Sequence, residues 1–121
     1  MNTETMSPKN LSASSITGTA VVNTQGENLG KIEDLMIDLS SGRVAYAVLS
    51  FGGFLSMGNK LFAVPWNAFT IDCDQEEFLL NTPKEKLENA PGFDKDNWPD
   101  TADRTWGADI HSHYGVEPYW E

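Results

Sequence analysis

Val44-Ala45-Tyr46-Ala47-Val48-Leu49-Ser50-Phe51 is the stretch on which the fold turns. Side chains alternate between the two faces of a strand, and this run is apolar or small at both parities. A strand of that kind belongs in the middle of a sheet or in the wall of a barrel, covered on each side.

Reading outward from it, the turn Leu39-Ser40-Ser41-Gly42 separates this strand from an earlier one over Leu29–Leu39. In that earlier strand Ile32 takes one face while Leu35, Ile37 and Leu39 take the other, so the apolar phase slips at Glu33-Asp34. A slip of one residue predicts a β-bulge, which bends a sheet towards closure. Further upstream, Thr19-Ala20-Val21-Val22 and the turn Asn23-Thr24-Gln25-Gly26 complete a hairpin with it. Ahead of the hairpin, Ser12 is a helix N-cap, with Leu11 and Ile16 placed for a hydrophobic staple and Gly18 to end a single turn.

Downstream, Leu61-Phe62-Ala63-Val64 is a strand closed by Pro65. Phe69-Thr70-Ile71 and Phe78-Leu79-Leu80 flank an acidic turn, Asp72 to Glu76, as a second hairpin. Thr82-Pro83-Lys84-Glu85 has the pattern of a capping box with proline at the first helical position, and the short helix it opens is anchored by Leu87 and stopped by Ala90-Pro91-Gly92. Six short strands with compact turns predict a mainly β chain, a small barrel or strongly bent sheet.

The chain has 121 residues, 40% of them hydrophobic, which is enough for one domain with its own core. Its 18 acidic and 8 basic residues leave a formal charge of −10. That excess repels phosphate backbones, and the basic residues are scattered, so a nucleic-acid partner is not expected. No apolar run approaches the roughly 20 residues of a spanning helix, and direct membrane insertion is not expected either. Met1 to Asn10 is polar and contains Glu4, unlike a signal peptide, and reads as a flexible cytoplasmic leader.

Few residues are arranged for chemistry, and no catalytic residue or cofactor is expected. Gly53-Phe54-Leu55-Ser56-Met57-Gly58-Asn59-Lys60 nearly spells a phosphate-binding loop, but Asn59 stands in the lysine's place and a strand follows instead of a helix. Phe54, Leu55 and Met57 read instead as a glycine-hinged loop that tucks over a barrel mouth or offers a contact site. Cys73 lies between Asp72 and Asp74, whose charges oppose thiolate formation. Asp109, His111 and His113 share one face if that segment is extended, which makes them weak candidates for a metal site; the alternative is a pair of ordinary surface histidines. The carboxylates Glu33-Asp34 and those of the Asp72–Glu77 turn match no calcium loop and read as solvated.

Residues 93–121 hold Phe93, Trp98, Trp106, Tyr114, Tyr119 and Trp120, six of the thirteen aromatics, at a net charge of −5. A purely solvated tail would not carry them. They predict an aromatic-anchored strap lying on an apolar surface with its carboxylates in water. That surface is either its own barrel or a second subunit's, and the crossing to a second subunit is the favoured expectation.

The order of these motifs resembles the PRC-barrel domain family. The resemblance rests on Gly26-Glu27-Asn28-Leu29-Gly30-Lys31-Ile32-Glu33-Asp34 followed by Asp38 and Gly42-Arg43-Val44. It is extended by Tyr46 to Phe54, Phe62-Ala63-Val64-Pro65-Trp66 and Asn89-Ala90-Pro91-Gly92-Phe93, the last two being similar to stretches in stand-alone bacterial members. The family takes its name from the cytoplasmic domain of the photosynthetic reaction-centre H subunit and includes the carboxy-terminal domain of the ribosome-maturation factor RimM. Both use the barrel for docking, and neither specific role carries over: the H subunit's membrane helix and RimM's preceding domain have no counterpart in this sequence. The resemblance implies a leader over 1–10, a barrel domain over 11–93 and an acidic, aromatic-rich extension over 94–121. It also implies turn or bulge roles for Gly26, Gly30 and Gly42. The function expected is a non-catalytic interaction module, homodimeric, with Phe54, Leu55, Met57, Trp98, Trp106, Tyr114, Tyr119 and Trp120 as contact residues and a protein partner of unknown identity. The rival is a small-ligand or weak metal-binding barrel.

Overall fold

The computed structural model describes residues 12–51, 60–72, 77–90, 92–93 and 96–120. The expected leader, Leu11, the loop residues Phe54, Leu55 and Met57, and Cys73 lie outside the described residues.

The elements run α1 (Ala13–Ile16), β1 (Ala20–Val22), β2 (Asn28–Asp38), β3 (Arg43–Phe51), β4 (Lys60–Pro65), a 3-10 turn (Trp66–Ala68), β5 (Phe69–Asp72), β6 (Glu77–Leu80), α2 (Lys84–Glu88) and α3 (Arg104–His113). The six strands form one sheet in the order β4-β3-β2-β1-β6-β5. Every neighbouring pair is antiparallel except β1 and β6, which run parallel with Val21 opposite Phe78.

The sheet curls into a half-barrel around an apolar core on its inner face. The pleat sends Ala47, Leu49 and Phe51 of β3 and Phe62 and Val64 of β4 to the same side, where they meet Phe78 and Leu80 from the far end of the sheet. Rings from distant strands could not meet across a flat sheet; Trp66, after β4, lies 5.6 Å from Phe78 of β6. Two devices bend the strands. Ile32 pairs with Leu49 and Asp34 with Val48, leaving Glu33 as the extra residue of the expected bulge. Gly30 has φ +120°, and a Cβ there would run into the Ser50 carbonyl oxygen, so only glycine lets β2 pass this close to β3. A second register shift, between Met36 and Ile37, gave no sequence signal.

Asn23 is buried, yet every polar atom of its side chain is occupied. Its Nδ2 donates to Glu27 Oε1 at 2.7 Å and to the Thr82 carbonyl at 3.2 Å, and its Oδ1 accepts from Gln25 N and Glu27 N. This amide ties the first hairpin to the segment before α2. It also bears on a correction: Thr82 does not cap α2. Thr82 is buried against the first hairpin, Pro83 takes the N-cap position, and no side chain bonds to the first turn. With the start displaced by one residue, Thr82 and Glu85 lose the spacing of a capping box. Leu87 is the fully buried anchor of α2, as expected. Ser12 caps α1 through Ser15 N, also as expected.

Phe93 returns to the sheet through an antiparallel bridge to Leu61. After it the strap contains a helix that the sequence reading did not expect. Residues Arg104–His113 are a ten-residue helix whose N-cap, Asp103, accepts from Thr105 N and Trp106 N.

Candidate functional site

The helix α3 and the residues after it pack on their own barrel, against the outer face of β3 and β4. Tyr46 and Ala63 share a buried cluster with Ile110, bordered by Trp106, Tyr114 and Tyr119. The favoured expectation of a crossing to a second subunit is therefore corrected: the segment lies in cis. Even parity on β3 faces outward, which places Tyr46 under the helix while Ala47 points to the core.

Tyr46 is the centre of the contact. Its ring meets Trp106 edge-on at 5.2 Å, His111 at 5.4 Å and Tyr119 at 6.2 Å. Gly107 makes room for it, since a Cβ there would sit 2.6 Å from the Tyr46 hydroxyl and 2.9 Å from the Trp120 ring. Burial pushes the Tyr46 hydroxyl up to about 12 and raises Tyr114 as well.

Tyr119 fastens the segment. Its hydroxyl donates to Asp38 Oδ2 at 2.7 Å, its carbonyl accepts from Arg43 Nη1 at 2.9 Å, and its N–H donates to His111 Nε2 at 3.3 Å. His111 is fully buried, with Nδ1 2.7 Å from the Gly107 carbonyl. Those partners assign the proton to Nδ1 and leave Nε2 as the acceptor. The Tyr119 hydroxyl and the Ser40 and Ser41 N–H groups hold the Asp38 carboxyl below its ordinary value, while burial and then Asp38 raise Tyr119. Arg104 lies 5.2 Å over the Trp120 ring.

The helix removes the shared face on which the weak metal candidates depended, and it buries His111, which is not the surface histidine of the alternative reading. On a helix, at 100° per residue, Asp109 and His113 share a side and His111 points the other way. His111 has both nitrogens engaged with backbone groups. His113 is partly buried, and burial, with Lys86 nearby, lowers its imidazole from the ordinary value. Among the described residues no group of three or more His, Cys, Asp or Glu side chains is placed to hold a metal ion. Nor is any described helix long and apolar enough to cross a membrane.

Between the β2–β3 hairpin tip and the start of α3 lies a groove of about 420 Å³ lined by Met36, Ile37, Asp38, Leu39, Arg104 and Trp120 among others. Leu39 is 91% exposed beside it and Ile37 47%. Of the contact residues expected from sequence, Trp106, Tyr114, Tyr119 and Trp120 come together at the α3 contact, while Trp98 stands apart, 38% exposed and packed on Phe93 at 5.0 Å. Sequence reasoning missed Asp38, Arg43 and His111 as the fasteners. The Trp106, Ile110, Tyr114 spacing behind Asp103 was the helix signal available.

A curled six-stranded sheet with helices on its flanks defines a small β-barrel-type domain. Residues 8–87 match the PRC-barrel domain family, more than half of the chain, and the chain belongs to that family. Among solved structures it is similar to one described as a 16S ribosomal RNA processing protein, RimM, from Pseudomonas aeruginosa. The TM-score is 0.42 and the identity 16%, over 62% of this chain and 45% of that one. The chain thus spans less than half the length of that relative. No curated protein matches it.

Proposed function

We propose that the chain is a non-catalytic protein-interaction module that self-associates through the tip of the β2–β3 hairpin. The observation that carries this reading is Leu39, which stands 91% exposed beside a groove of about 420 Å³. A projecting leucine next to a groove on the same surface is self-complementary under a two-fold rotation, the commonest symmetry of soluble homo-oligomers. Burying two copies of Leu39 and Ile37 would supply apolar area at the centre of such a contact. Membership of a family known for docking supports an assembly role over catalysis. The acid excess favours protein over nucleic acid as partner, and a cytoplasmic setting suits the reading.

Light scattering on the eluting protein, over a hundredfold range of micromolar concentrations, tests this. The wild type is expected to elute as a dimer, and Leu39→Asp as a folded monomer with an unchanged circular dichroism spectrum. A wild type that stays monomeric at every concentration would sink the proposal. If that monomer also bound a divalent metal stoichiometrically, the ligand-binding alternative would take its place.

A further inference from the structure

We infer that residues 96–120 act as a clasp that opens from the barrel as a unit while the barrel stays folded. The inference does not rest on self-association, although the clasp supplies Arg104 and Trp120 to the groove proposed for it.

It starts from where the imperfect contacts lie. Three buried side-chain polar atoms among the described residues have no hydrogen-bond partner: Tyr46 Oη, His113 Nε2 and Tyr114 Oη. Two belong to the clasp and the third is the residue at the centre of its footprint. By contrast, the buried Asn23 of the barrel has all its side-chain atoms engaged. An unsatisfied buried donor or acceptor carries its full desolvation cost, and water repairs that cost once the contact opens. The three orphans therefore weaken one seam selectively.

The connections across the seam are also of a kind that parts without damage to the sheet. No residue of 96–120 belongs to a strand, so undocking breaks no rung of the ladder. The helix brings its own N-cap, Asp103, and its own His111-to-Gly107 bond. The hydrogen bonds described between clasp and sheet converge on Tyr119, through Asp38 and Arg43. Packing of Ile110, Trp106 and Tyr114 does the rest of the holding. Local openings of this sort have free energies below that of global unfolding.

Native-state hydrogen exchange on the full chain tests it, with α3 amides compared against β3 amides. In the wild type, α3 is expected to exchange at least tenfold faster than its β3 counterparts relative to intrinsic rates. Ile32→Val, a conservative change in the barrel core away from the seam, should speed β3 exchange roughly two- to tenfold and leave α3 exchange where it was. Tyr46→Phe, which removes an orphan hydroxyl, should slow α3 exchange roughly fivefold or more. If Ile32→Val speeds both elements in step, the extension belongs to the barrel's single cooperative unit and the clasp is overturned. If Tyr46→Phe speeds α3 exchange, the hydroxyl was stabilising and the weak-seam argument fails.

Discussion

The hydroxyl of Tyr119 donates to the carboxylate of Asp38 across 2.7 Å of space and 81 positions of sequence. The bond favours the ionised form of Asp38, whose carboxyl sits below its ordinary value of 3.8. A carboxyl lowered on folding contributes stability that is complete above its unfolded value and is lost as pH falls through the folded one. His113, also lowered, behaves likewise below its ordinary value of 6.5. Thermal midpoints are therefore expected to fall in acid. Asp38→Asn should lower the midpoint at neutral pH and flatten the part of the decline below pH 3.8. An Asp38→Asn midpoint equal to the wild type's at neutral pH would show that the bond contributes nothing.

The alkaline limb tests the same contact from the other side. The chain has three tyrosines, Tyr46, Tyr114 and Tyr119, and all three are raised above 10.0. A raised tyrosine contributes stability that is complete below the unfolded value and is lost as pH rises through the folded one. Tyrosinate absorbance is expected to develop above pH 10, with Tyr46 near 12, together with release of the α3 contact. One full tyrosine titrating at 10.0 in the folded protein would contradict the packing.

Gly107→Ala separates helix propensity from packing. Alanine favours a helix interior by about 1 kcal/mol over glycine. Here its Cβ would lie 2.6 Å from the Tyr46 hydroxyl. Overpacking costs about 1–3 kcal/mol and should win. Urea titrations are expected to show a net loss for Gly107→Ala and partial recovery in the double variant with Tyr46→Phe, a coupling that additive effects would not give.

Leu87→Ala should cost about 2–5 kcal/mol, because this fully buried leucine is the single apolar anchor of α2. Gly30→Ala should be worse, since both its φ and its Ser50 neighbour forbid a side chain. The check is soluble yield and the midpoint of thermal unfolding; a Gly30→Ala protein with a wild-type midpoint would mean that β2 can move away from β3.

How far the sequence reveals this structure follows from the range of each interaction. The β3 run, the bulge at Glu33 and the 69–80 hairpin all show locally, because strand period and turn chemistry act over a few residues. The helix α3 was obscured by Gly107 and by the alternation Asp109, His111, His113, which mimics a strand. The Tyr119–Asp38 bond and the parallel β1–β6 joint have no local pattern to announce them. The fold was thus largely legible, and the contact built from distant partners was not.

That parallel joint also sets an order of assembly. Strands β2, β3 and β4 are successive antiparallel neighbours and can meet as each leaves the ribosome. Val21, made early, must wait for Phe78 before β1 acquires its second neighbour. Until then a nascent chain exposes the open side of β1 and the inner faces of Leu49 and Phe62. The last two strands therefore complete both the pairing of β1 and the cover over the inner face of the sheet.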